Sequence, residues 1–146
     1  MIAERSGWCW WWLAAAAAAA MATGCGSQPQ GPAFQPEVVD PGKAVVYVFR
    51  DPKAGLNPAP VLISIDQHEV GELHPGQYVA KVVAPGEHLV RAERGRGTVL
   101  SATVVKGDVV YFRVTTPPFK GRAPVLEIMD SETARRSIAG TTRATE

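Results

Sequence analysis

From residue 44 onward the chain alternates short apolar runs with corners rich in Gly, Pro and Asp, and inside most runs single apolar and polar positions alternate. A period of two is that of a half-buried strand, whose successive side chains point to opposite faces of a sheet. AVVYVFR (44–50) is rich in β-branched and aromatic residues. VLISID (61–66) sets Val61, Ile63 and Ile65 on one face; EVGEL (69–73) follows across the polar corner Asp66-Gln67-His68, which predicts a tight hairpin. In YVAKVV (78–83) the alternation predicts Tyr78, Ala80 and Val82 inward and Lys81 outward. The turn Pro85-Gly86-Glu87 leads into HLVRAE (88–93). TVLSATVV (98–105) offers Leu100, Ala102 and Val104 to the core, and DVVYFRVTT (108–116) offers Val110, Phe112 and Val114 with Arg113 in water. VLEIM (125–129) turns Leu126 and Ile128 inward around Glu127. Seven or eight strands result, with no long helical pattern between them, a count that fits a two-sheet sandwich. One short helix follows: Asp130 or Ser131 caps it, Ala134 and Ile138 form its apolar stripe and Gly140 stops it. The last six residues, TTRATE, are expected to fray.

The start of the chain follows another grammar. A short stretch with one arginine (MIAERSG) precedes an uncharged apolar run, residues 8–22, which ends in small residues before Cys25. This three-part order is that of a signal peptide over 1–24. A retained membrane anchor is the other reading, although a spanning helix takes about 20 apolar residues. Ala22-Thr23-Gly24-Cys25 resembles the bacterial lipobox, where small residues precede an obligatory cysteine. The resemblance implies a thioether-linked diacylglyceryl group on the Cys25 sulfur, cleavage before Cys25 and acylation of the freed amine. Two or more acyl chains hold durably, at about 0.8 kcal/mol per buried methylene. Gly26-Ser27 carries no acidic residue of the kind that retains some lipoproteins in the inner membrane, so in a Gram-negative cell the outer membrane is favoured.

From Gly26 to Gly42 the segment is broken by Pro29, Pro32, Pro36 and Pro41, and Phe34 is its single aromatic. Such composition buries too little apolar surface to fold alone and predicts a flexible tether over 25–42. Fully extended, its 17 residues after the cysteine would reach about 50 Å. Phe34 stands in it either as a docking anchor or as an incidental aromatic. The folded domain is then expected over 43–140, with a frayed tail over 141–146.

Composition narrows the function classes. Fifteen Lys and Arg balance fourteen Asp and Glu in 146 residues, which speaks against a broad nucleic-acid-binding face. The two cysteines, Cys9 and Cys25, both precede the domain, so it has no disulfide framework, redox pair or cysteine metal site.

The runs AVVYVFR, VLISIDQHEVGELHPGQYVAKVVAPGEHLVRAE and KGDVVYFRV resemble the domain-of-unknown-function family 2846, small bacterial proteins often of lipoprotein type. The shared grammar is Y-x-[FY]-R, a strand ending in Asp, V-G-x-L, G-x-Y, P-G-x-H and G-x-x-Y-[FY], over residues 44–140. The P-G-x-H element is also similar to PEGA-type surface β-domains. Together they imply an all-β, immunoglobulin- or transthyretin-like sandwich, and they bring no catalytic residue and no established activity.

Candidate chemistry is sparse. His68 and His74 flank a short strand in polar turns, whereas His88 shares a face with Val90 and Ala92 and reads as a histidine hydrogen-bonded to backbone rather than a metal ligand. Ser64, Ser101, Ser131 and Ser137 lack a G-x-S-x-G elbow, and Asp66 with Glu69 or Glu72 reads as solvating. GRG at 95–97 lies between strands and opens no helix for phosphate. No cofactor is expected. Two surface elements remain: TTPPFKGRAP (115–124), with Phe119, Lys120 and Arg122 on a proline-stiffened loop, and ERGRG (93–97), with Arg94 and Arg96. Rigid loops with an aromatic anchor and cations are common recognition devices. The expectation is a non-enzymatic, lipid-anchored envelope module that binds or supports an envelope protein or cell-wall polymer. The alternative is a small-ligand carrier with a cleft in or at the rim of the sandwich.

Overall fold

The nearly continuous apolar run AVVYVF forms β1 (Ala44–Phe49), and all six of its residues are buried. Its neighbours explain this. The structure, a computed structural model, describes residues 31–53, 57–119 and 121–145. After β1 come β2 (Val61–Ile65), β3 (His68–Leu73), β4 (Gln77–Val83), β5 (Gly86–Arg94), β6 (Arg96–Val104), β7 (Val109–Thr115) and β8 (Val125–Met129). The helix α1 (Ser131–Ile138) and a two-residue strand β9 (Thr142–Arg143) complete the order. One sheet runs β8-β7-β1-β4-β9 and the other β3-β2-β5-β6. β1 is central in the first, antiparallel to β4 and parallel to β7. A strand paired on both sides and covered on both faces loses the alternation of a half-buried one. The protein is an all-β sandwich with one short helix, the expected class, with β9 as a strand beyond the seven or eight expected.

Between the sheets, Ala44, Val46 and Val48 meet Val61, Ile63 and Ile65 of β2, Val90 and Ala92 of β5, and Phe112 and Val114 of β7. A second apolar layer lies on the other face of β1. There Val45, Tyr47 and Phe49 pack with Tyr78 and Tyr111 under Ala134 and Ile138 of α1, with Phe34 and Val39 beside them. The Tyr47 and Tyr111 rings stack with centroids 5.2 Å apart.

This second layer corrects the phase expected for β4. Val79 and Val83 belong to the core between the sheets, Tyr78 and Ala80 face the helix side, and Val82 is 46% exposed. Both phases of YVAKVV are apolar, and Lys81 does not exclude its own phase because it lines a surface cleft. Ile128 is also corrected: on the edge strand β8 it is 50% exposed while Leu126 is buried. The hairpin after β2 is tight as expected, a two-residue loop in which Asp66 (φ 52°) and Gln67 (φ 67°) are both left-handed, the pattern of a type I′ turn. Asp130 caps α1 by accepting from the Thr133 N–H at 2.9 Å. The helix ends at Ile138 with Ala139 as its C-cap, just before Gly140, and the Thr141 N–H and hydroxyl both donate to the Ile138 carbonyl.

Two expectations about the ends of the domain are overturned. The tail does not fray at its start: Thr142 and Arg143 pair parallel with Gln77 and Tyr78, and Thr141 and Ala144 are buried. Nor is the proline-rich stretch a free tether beyond Gly31. Ala33 bridges to Thr142, the Phe34 N–H donates to the Thr141 carbonyl at 3.1 Å, and the Arg143 N–H donates to the Pro32 carbonyl at 2.8 Å. The Phe34 ring sits edge-on to Tyr47 and Tyr78, 5.6 and 5.2 Å between centroids. The Glu37 N–H donates to the Tyr47 hydroxyl at 2.7 Å, and its carboxylate pairs with Arg143. The segment is too polar to bury a core of its own, so it completes one the sheet already has. Residues 1–30, including the expected signal peptide and Cys25, lie outside the described residues.

Candidate functional site

Strand register brings four connections to one end of the sandwich: residues 50–60, 74–76, 94–96 and 116–124. Beneath them lies Arg50, which ends the apolar run of β1 and is fully buried. Its Nη1 donates to the carbonyls of Ala59 at 2.7 Å and Leu73 at 3.2 Å. Its Nη2 donates to the Thr116 hydroxyl at 2.8 Å and to the Asn57 carbonyl. Nε has no partner. The Arg50 main chain joins the same end, its N–H donating to the Gln77 carbonyl and its carbonyl accepting from Gly76, both at 2.9 Å. Burial, and then the nearby charge of Arg94, pull the Arg50 guanidinium below its ordinary range. Among the described residues no carboxylate pairs with that charge; carbonyl dipoles and one hydroxyl offset it.

Arg50 therefore gathers the β1–β2 and β7–β8 connections onto one point. The sequence displayed it, within Y-x-[FY]-R, but gave it no role. The signal was a cation closing a run with no polar position.

The two basic elements singled out from the sequence stand around this floor. Arg94 and Arg96 face one another across Gly95, whose φ of 75° is left-handed and suits glycine. Phe119 is 67% exposed, and the Arg122 guanidinium carbon lies 5.6 Å from its ring centroid, a cation–π distance. Among the described residues none of Arg94, Arg96 and Arg122 is ion-paired. Lys120 and Cys25 fall outside the described residues.

The opposite end holds a different polar group. Asp66 of the I′ turn fastens the β2–β3 hairpin to β5: its N–H donates to the Leu89 carbonyl at 2.9 Å and its Oδ1 accepts from the Leu89 N–H at 3.0 Å. His88 Nδ1 lies 2.6 Å from Asp66 Oδ2 and Nε2 lies 2.7 Å from the Ala84 carbonyl. With an acceptor at each ring nitrogen, the imidazolium satisfies both. Partial burial opposes the charge, but the bonds to Asp66 and Ala84 outweigh it and raise the His88 pKa. Asp66 is likewise opposed by burial yet held below the ordinary carboxylate range by His88 and the Leu89 N–H. His68 Nδ1 lies 2.9 Å from the Asp66 carbonyl in the same hairpin. Asp66, Glu69 and Glu72 do not converge: the first serves His88, and Glu69 lines a cleft with Val70, Gly71, Ala80 and Lys81. That cleft, about 360 Å³ and open to solvent, follows the seam between β3 and β4.

Among the described residues no three His, Cys, Asp or Glu side chains are grouped to hold a metal, and no helix is long and apolar enough to cross a membrane. No family model matches the chain, and no curated protein matches it.

Proposed function

We propose that this protein is a non-enzymatic binding module of the bacterial cell envelope, held at a membrane by acyl chains on Cys25, with the Arg50 end of the sandwich as its binding surface. The observation that carries the reading is the exposed Phe119, capped by Arg122, at the same end as Arg94 and Arg96, which have no ion pair among the described residues. An aromatic anchor with one cation over its ring, at the end of the sandwich that also carries two further arginines, suits an anionic partner. The lipobox-like Ala22-Thr23-Gly24-Cys25 and the shared grammar with family 2846 support the anchoring. The seam cleft favours the second reading, a small-ligand carrier, less: Glu69 and Lys81 make it a place for a polar ligand at most.

A photo-crosslinking residue at position 119 in cells tests the binding surface, with Arg135 on α1 as the control position. Adducts from 119 and none from 135 support it. Equal adducts from both, or none from either, overturn it.

A further inference from the structure

Among the described residues four strands form the edges of the two sheets, β8 and β9 in one and β3 and β6 in the other. An edge offers unpaired main-chain groups to any extended chain, and proteins blunt it with brevity, charge, proline or a bulge. Three of these edges are blunted. β9 is two residues long, and the clasp of residues 31–34, with Pro32 in it, covers its outer side. β8 has five residues, follows Pro124 and carries Glu127, paired with Arg113 at 2.5 Å. β3 exposes His68, Glu69 and Glu72, and its pairing with β2 shifts register between Ile63 and Ser64. β6 carries no such device beyond Arg96. It is nine residues long, it pairs with β5 without a shift, and no residue from Gly97 to Val105 is charged or a proline.

The main chain of Leu89 bonds to Asp66 on the β2 side, so the odd-numbered residues of β5 face β2 and the even-numbered ones bond to β6. Those lie opposite even-numbered residues of β6, which leaves Val99, Ser101 and Thr103 with their N–H and carbonyl groups turned outward. Beyond them Asp108 closes the edge: its Oδ2 accepts from the Val105 N–H at 2.9 Å, and its N–H donates to the Val105 carbonyl at 3.1 Å. Before them the Thr98 hydroxyl donates to the Pro124 carbonyl and ties the start of β6 to the β7–β8 connection.

The side chains of this open stretch match themselves. Placed antiparallel to a second copy about a two-fold axis at Ala102, VLSATVV (99–105) sets Val99 against Val105, Leu100 against Val104 and Ser101 against Thr103. Apolar meets apolar and hydroxyl meets hydroxyl, pairs that stabilise a sheet, and no charge falls within the stretch. Val99 and Val105 are 50% and 60% exposed in the single chain. Ile128 adds to the case. Its cross-strand partner Phe112 lies in the core, so Ile128 faces between the sheets, yet it is 50% exposed at the seam where β8 meets β6. A strand added to β6 would extend across that seam.

We infer that β6 is a self-association edge, which pairs antiparallel with β6 of a second copy through Val99–Val105 and joins the two four-stranded sheets into one. This stands apart from the anchor on Cys25 and from the Arg50 end. One strand pair is a small interface, so the association is weak and depends on concentration.

The test uses the full chain as its cells make it, in a density-matched detergent, with its mass followed by sedimentation equilibrium across a wide range of concentration. The wild type should pass from one copy to two. Ser101→Lys, which sets two ammonium groups on neighbouring strands close to the axis, should weaken the association about tenfold or more and leave unfolding of the dilute chain unchanged. Thr103→Pro should do the same by removing an outward N–H that β5 does not use. Oxidative crosslinking reads the register. Ala102 would face its own copy in a non-hydrogen-bonded pair, with Cα atoms about 4.5 Å apart and within reach of a disulfide. Ala102→Cys should therefore give a crosslinked dimer, and Ser101→Cys only the background of the wild type, whose cysteines are Cys9 and Cys25. A wild type that stays single at every concentration overturns the inference. So does a dimer that Ser101→Lys and Thr103→Pro leave intact, or one that crosslinks at 101 as readily as at 102.

Discussion

Arg50→Met removes a guanidinium while keeping an unbranched apolar stem of similar reach. The carbonyls of Asn57 and Ala59 lie near the surface and can turn to water, whereas the Leu73 carbonyl and the Thr116 hydroxyl are buried with Arg50 as donor. Stranding a buried acceptor costs about 1–3 kcal/mol, so two of them amount to about 2–6 kcal/mol. Against this stands relief: a buried cation without a carboxylate and with an unpartnered Nε is itself unfavourable, by up to several kcal/mol. The balance is a net loss of about 2–4 kcal/mol. Urea unfolding of wild type and variant at unchanged slope reads it directly, and amide exchange should quicken at Ala59 and through residues 116–124. Arg50→Lys, with a single ammonium that cannot span all four acceptors, should recover only part of the loss. A variant as stable as the wild type, with its loops as protected as before, would refute the account of Arg50 as the fastener of this end.

Other outcomes follow from the packing. Phe112→Ala, fully buried between the sheets, should cost about 3–5 kcal/mol in denaturant unfolding. Val79→Ala should cost about 1–3 kcal/mol while Val82→Ala costs under about 0.5 kcal/mol; the reverse order would restore the strand phase expected from sequence. Phe34→Ala should release residues 31–39 to fast amide exchange while the strands of the sandwich keep their protection. The Asp66–His88 pair sets a pH dependence. Its histidine contribution is complete below the ordinary imidazole range and lost as pH rises through the raised folded-state value. Its aspartate contribution is present above the ordinary carboxylate range and lost as pH falls through the lowered one. Stability should therefore decline as pH rises from the ordinary imidazole range through the raised folded-state value, and His88→Gln should flatten that decline.

What the sequence reveals is what neighbours in the chain decide. Alternation and turn residues located every strand from β1 to β8, and a cap at Asp130 or Ser131 with the Ala134–Ile138 stripe located α1, because each depends on a few consecutive residues. The phase of β4 was hidden because both of its faces are apolar and both are covered. β9 was hidden because Thr142 and Arg143 carry no apolar pattern, and pair only because β4 offers an open edge. Phe34 looked stranded in a polar stretch since its partners, Tyr47 and Tyr78, stand on strands that meet only in the folded sheet. At the candidate site, composition singled out Phe119, Lys120 and Arg122, and separately Arg94 and Arg96. That the described members of these groups share one end over Arg50 follows from the register of β5, β6, β7 and β8, which no local pattern fixes.

The pairing of residue 33 with residue 142 also sets an order of events during synthesis. A chain made from its amino terminus exposes β1 early, but β1 gains its second neighbour only when β7 exists, and the clasp closes only when β9 has been added. Until then Tyr47 and Tyr78 lack the Phe34 ring and the edge of β4 is open to pairing with any passing strand. Residues 141–144, made after every other strand of the sandwich, are thus the ones that fasten the segment preceding β1. Ending synthesis just before Thr141 would leave a sandwich with a raw edge and a loose leader, prone to self-association although nearly all of its core is present.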